Sequence, residues 1–95
     1  MFIILLKFSA NRENAGTYME AHKAWLKQGF DDGVFLLAGS LQPGLGGGIL
    51  AQAGSLDDIA ARVKEDPFVE EDVVKPEIIE MTPALAGERL KFLVG

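Results

Sequence analysis

His22 is the one histidine of this 95-residue chain, and its surroundings make it chemically conspicuous. It sits among Ala15, Tyr18, Met19, Trp25, Leu26 and Gly29 at the spacing of an apolar helix face, where an imidazole needs a polar partner. Histidine is also the side chain whose ordinary pKa places proton transfer near neutral pH. A carboxylate bonded to one ring nitrogen would fix the tautomer and leave the other nitrogen for a substrate. Asp66 is the candidate partner, because it stands at the exit of a second helix expected on the same sheet face. A plainer reading stands beside this one: a lone histidine on an apolar face is an ordinary core residue, and Asp-Pro is an ordinary turn opener.

Other motifs carry less chemistry. In Gly44-Leu45-Gly46-Gly47-Gly48, Ile49 takes the place of the last glycine of a G-x-G-x-x-G loop, and a strand rather than a helix follows. The run therefore reads as a turn or rim, with a substrate-covering loop as the lesser alternative. Glu65, Asp66, Glu70, Glu71 and Asp72 lack the Asp/Asn/Gly spacing of a calcium loop and read as a solvated acidic surface. A single histidine cannot build a two-histidine iron site within one chain; no metal site and no cofactor are expected. The absence of cysteine excludes thiolate catalysis, cysteine zinc sites and a disulfide framework. Trp25 and Tyr18 are candidates for an aromatic pocket wall, although core packing is the usual fate of aromatics at helical spacing.

The elements that would position these residues follow from the pattern. Phe2 to Phe8 reads as a central strand covered on both faces. Thr17-x-x-Glu20 is a capping box, one start signal for a first helix running to Gln28–Asp32 and ending near Gly29 or Gly33. Val34–Gly39 and Ile49–Ala53 read as antiparallel strands joined through the Pro43-Gly44 turn. Ser55 caps a second helix with Asp58 at the capping-box position; Leu56, Ile59, Ala60 and Val63 form its apolar stripe, and Asp66-Pro67 ends it. A last strand falls within residues 73–82, with Pro76 at its beginning or on an exposed edge. The order is β-α-β-β-α-β: an α+β, ferredoxin-like fold whose four-stranded antiparallel sheet carries both helices on one face. The tail from Ala84 shows a weak alternation in Leu90, Phe92 and Val94, and it is expected to pack on the domain or cross to a partner subunit.

Composition bounds the partners. A domain this short buries a modest share of its surface, yet 48% of its residues are hydrophobic, which points to a homodimer. Nine scattered basic residues against fourteen acidic ones give a net charge of −5 and argue against nucleic acid. The apolar opening run lacks a basic leader segment, and Lys7 interrupts it far short of a membrane span, so no membrane association is expected and a cytoplasmic location is the default.

Four segments occur in a telling order: Ala21-His22-Lys23-Ala24-Trp25-Leu26, Leu37-Ala38-Gly39-Ser40, Gly47-Gly48-Ile49-Leu50 and Glu65-Asp66-Pro67-Phe68. Together they resemble the YciI-like (YCII-related) family of small proteins over residues 1–82. The resemblance implies a ferredoxin-like fold, a dimer built in the dimeric α/β-barrel manner, and a cleft carrying a histidine and an aspartate. It makes His22 the general acid/base and Asp66 its orienting partner. Ser40 and Phe68 match residues expected around that cleft, Ser40 to hydrogen-bond the substrate or the His22–Asp66 pair, and Phe68, with Trp25, to form apolar walls. Residues 83–95 form a C-terminal extension outside the pattern. The expected function is a cofactor-independent enzyme acting on a small molecule by isomerisation, elimination or similar chemistry, such as a lyase, isomerase or dehydrochlorinase-like enzyme. The rival is a non-catalytic dimeric ligand-binding or interaction protein in which His22–Asp66 is structural. A cofactor-free monooxygenase rests on fold analogy alone.

Overall fold

The computed structural model describes residues 1–94. Strand β1 (Phe2–Phe8) buries Phe2, Ile4 and Leu6 on one face, as the two-residue period of a strand dictates. A 3₁₀ turn over Arg12–Asn14 leads into α1 (Ala15–Asp31), followed by the hairpin β2 (Phe35–Leu41) and β3 (Gly46–Ala51). Helix α2 (Leu56–Lys64), a short α3 (Pro67–Glu70) and β4 (Val74–Glu80) complete the domain. The sheet order is β2-β3-β1-β4 with every neighbouring pair antiparallel, so the expected ferredoxin-like α+β arrangement is present.

Several boundaries differ from the sequence reading. Helix α1 begins at Ala15, two residues before the Thr17 capping box, because the 3₁₀ turn already delivers the chain in helical geometry. Gly33, at φ +74°, follows the end of α1, whereas Gly29 lies inside the helix. A Cβ at Gly29 would stand 2.1 Å from the Phe35 ring, so the missing side chain lets α1 settle directly onto β2. Gly46, Gly47 and Gly48 are not a turn; they form the first half of β3, and the turn occupies residues 42–45. Asp66-Pro67 does not simply end α2. Pro67 opens α3 at its first position, where its missing N–H costs nothing, and Asp66 caps it. Pro76 lies within β4, which is an edge strand and tolerates the lost donor. Ser55 caps α2 as expected, accepting from the Asp58 amide at 3.1 Å.

The core forms between the sheet and the helices: Ile4, Phe35, Ile49, Ile59, Val63 and Val73 are buried there. The opposite sheet face is open, so β1 is covered on one face only. Register places Ile3, Leu5, Leu37, Leu50 and Ile79 on that side, and Leu37 is 60% exposed. Beyond β4, the tail is not a strand but a 3₁₀ segment over Glu88–Leu93. The tail does not bury its apolar side chains on the domain; Leu85 is 94% and Phe92 60% exposed. Among the described residues no helix is long and apolar enough to cross a membrane.

Candidate active site

Helix α1 directs Met19, His22, Lys23 and Leu26 to one side, a stripe at the three- and four-residue spacing of a helix face. The stripe overlooks the sheet where β1 contributes Leu6 and Phe8, β2 contributes Ala38 and Ser40, and β3 contributes Gly47 and Ile49. Gly47 pairs with Leu6 and Ser40 on the helix-facing side of the sheet but fills nothing. With α1 held against β2 at Gly29 and no side chain at Gly47, a cleft of about 340 Å³ remains between helix and sheet. Phe68 of α3 and Val74 of β4 also line it.

His22 borders this cleft with its side chain 13% exposed, and Nδ1 lies 2.7 Å from Oδ1 of the fully buried Asp66. With Asp66 as a carboxylate that can only accept, Nδ1 donates, and in the neutral ring Nε2 then holds the lone pair. Nε2 has no partner among the described residues, yet it is not sealed from solvent. Asp66 Oδ1 accepts a second hydrogen bond, from the Phe68 amide at 3.0 Å, so one oxygen both caps α3 and orients the imidazole. Its other oxygen, Oδ2, is buried without a partner among the described residues. The Phe68 ring lies parallel to the imidazole, with centroids 4.0 Å apart and planes 3° apart. Phe68 thus limits imidazole rotation from its face while Asp66 limits it from its edge.

Ser40 is exposed on the cleft wall, and its hydroxyl makes no hydrogen bond among the described residues. Trp25 does not line the cleft. One turn along α1 from His22, its indole N–H donates to the Arg62 carbonyl at 3.0 Å, and its ring meets Phe35 edge-on. It ties α1 to α2 and backs the imidazole from 5.8 Å. Tyr18 is likewise turned away, with its hydroxyl 3.4 Å from Glu71 Oε2. The sequence reading did not single out Met19, Lys23 and Leu26 as site residues, although Met19 and Leu26 stand three and four residues from His22, and Lys23 four and three from Met19 and Leu26. Among the described residues no group of three or more histidine, aspartate or glutamate side chains is arranged to hold a metal ion.

The sheet order and the two helices on one face define a ferredoxin-like α+β protein. A sequence model of the YCII-related domain matches residues 1–82, and the chain belongs to that family. No curated protein matches the sequence significantly. Among solved structures, the chain is similar to 5-chloro-2-hydroxyhydroquinone dehydrochlorinase from Burkholderia phenoliruptrix AC1100 in complex with 2,5-dihydroxybenzoquinone. The TM-score is 0.69 at 15% identity, covering 85% of this chain and 93% of that one, a likeness of fold.

Proposed function

We propose that the cleft is the active site of a small-molecule enzyme in which His22 is the general base and acid and Asp66 its orienting partner, with no cofactor. The carrying observation is the asymmetry of the imidazole: Nδ1 is tied to a buried carboxylate, while Nε2, beside an apolar cleft, has no partner among the described residues. Nε2 would take a proton from the substrate, and the imidazolium so formed would stay hydrogen-bonded to Asp66. Returning that proton to another substrate atom gives isomerisation. Departure of a leaving group with its bonding electrons gives elimination. The fold neighbour named above is a dehydrochlorinase, and loss of a proton and chloride is chemistry of this second kind. Ser40 would donate to a substrate oxygen, and Phe68 would form an apolar wall; Trp25 acts from behind by holding α1.

A metabolite library incubated with the protein, read by thermal shift and mass spectrometry, tests this reading. Compounds consumed by the wild type should turn over ~10²–10⁴-fold more slowly with His22→Ala, the usual scale of general acid–base assistance. His22→Gln, which keeps an amide donor for Asp66, should be folded and equally slow. Turnover at the wild-type rate in either variant rejects the catalytic role and leaves the ligand-binding alternative.

For the assembly we infer a homodimer closed over the bare sheet face, with the apolar tail crossing to the partner. Support comes from an apolar sheet face on the side away from both helices and from the exposure of Leu85, Leu90 and Phe92. Light scattering should return twice the chain mass for the wild type. Leu37→Glu, or truncation after Pro83, should shift the mass toward the monomer; an unchanged dimer in both would sink the idea.

A further inference from the structure

We propose that the cleft selects small anionic molecules, a carboxylate or phenolate oxygen on an apolar ring, and that Lys23 is the residue that reads the charge. The proposal deepens the reading of the cleft as a substrate site and rests on it. The chain has fourteen acidic residues, yet none lines the cleft. Asp66 stands next to it, but its carboxylate is fully buried and its Oδ1 faces the His22 and Phe68 donors. Lys23 is the one lysine or arginine on the cleft wall. Lys27, Arg62 and Lys91 are each held by a carboxylate, whereas the Lys23 ammonium has no such partner among the described residues. The Arg12 guanidinium, 4.4 Å from the centroid of the lining residue Phe8, is not itself part of the cleft wall.

The remaining lining fits the rest of such a molecule. Leu6, Leu26, Ile49 and Phe68 offer apolar surface to a ring, and the cleft volume of about 340 Å³ lies at the small end of ligand pockets. Lysine suits this task because its ammonium is a point charge on a flexible stem, able to follow an oxygen at the cleft mouth while His22 faces another part of the ring. The net charge of −5 opposes an approaching anion only at long range, where salt screens it; a cation at the mouth acts within the screening length of ~10 Å at 0.1 M salt.

The test titrates the full chain with 4-hydroxybenzoate, 4-nitrophenolate and the neutral 4-hydroxybenzamide, following His22 ring resonances by NMR. Both anions should bind at least tenfold more tightly than the amide, and the preference should shrink as salt rises. Comparison of the two anions shows which oxygen the cleft favours. Lys23→Met should abolish the preference while leaving amide binding unchanged, and Lys23→Arg should restore it. Equal binding of anions and amide, or an intact preference in Lys23→Met, overturns the charge-reading role while leaving the cleft as a ligand site. Failure of every probe to move the His22 resonances overturns the proposal together with the site it rests on.

Discussion

Replacing Asp66 with alanine is expected to destabilise the fold by about 3 kcal/mol, a large fraction of the 5–15 kcal/mol typical of a domain. Two donors lose their acceptor at once: the His22 Nδ1–H at 2.7 Å and the Phe68 amide at 3.0 Å. Loss of a helix cap costs about 0.5–2 kcal/mol, and a buried donor left unpaired costs about 1–3 kcal/mol. An opposing effect is real, since alanine removes a fully buried carboxylate whose desolvation is itself unfavourable. That relief is incomplete, because alanine neither fills the vacated volume nor satisfies the two donors. The net sign is therefore destabilising.

Asp66→Asn separates shape from charge. Its amide oxygen can keep the Phe68 cap and the His22 bond, but its NH₂ replaces Oδ2, which has no partner among the described residues. It should cost less than alanine in a urea titration, read at unchanged m. It should still slow turnover, since a neutral amide does not stabilise the imidazolium as a carboxylate does. A double-mutant cycle with His22→Ala should show coupling of about 1 kcal/mol or more, as groups in direct contact do. Alanine at position 66 with wild-type stability would mean that the short contact contributes nothing.

The pairing of His22 with Asp66 shows what one sequence can reveal. Helical spacing marked His22 as anomalous, and the element order put both helices on one sheet face, so a carboxylate at the exit of α2 became its candidate partner. What stayed hidden was the role of the Asp66-Pro67 step. A residue before proline is pushed out of the α region, which reads as an end, yet the same two residues supply the cap and first position of α3. Only the fold decides between these roles, because both use the same local geometry. Trp25 was illegible for a related reason: its helical spacing fits a cleft wall as well as a core position, and the Arg62 carbonyl that holds it lies on another helix. The tail shows how little a weak periodicity decides by itself. Alternation in Leu90, Phe92 and Val94 resembles a strand, but no strand pairs with it among the described residues, and a local 3₁₀ segment forms instead.

The glycine run yields the second large expected effect: Gly46→Ala should destabilise the domain by about 4 kcal/mol, whereas Gly47→Ala should change stability by less than about 1 kcal/mol. The two positions are adjacent in β3 and indistinguishable by residue type. Gly46 has φ +132°, a backbone conformation L side chains rarely adopt, and a Cβ there would stand 2.0 Å from the Leu6 carbonyl oxygen. That oxygen is main chain in central β1, so relief requires breaking the β1–β3 pairing rather than turning a side chain. Backbone strain of about 1–3 kcal/mol and overpacking of a similar size therefore add at one site. A Cβ at Gly47 meets nothing closer than the Gly39 carbonyl oxygen at 3.5 Å, an ordinary contact, and register directs it toward the cleft. Gly47→Ala should consequently fold normally and bind 4-hydroxybenzoate more weakly, with Gly47→Leu occluding the cleft. Urea unfolding and the His22-monitored titration read the two effects independently. Equal stability of the two alanine variants would show that Gly46 is not constrained by its backbone. Undiminished probe binding in Gly47→Leu would show that the space beside His22 is not where the ligand sits.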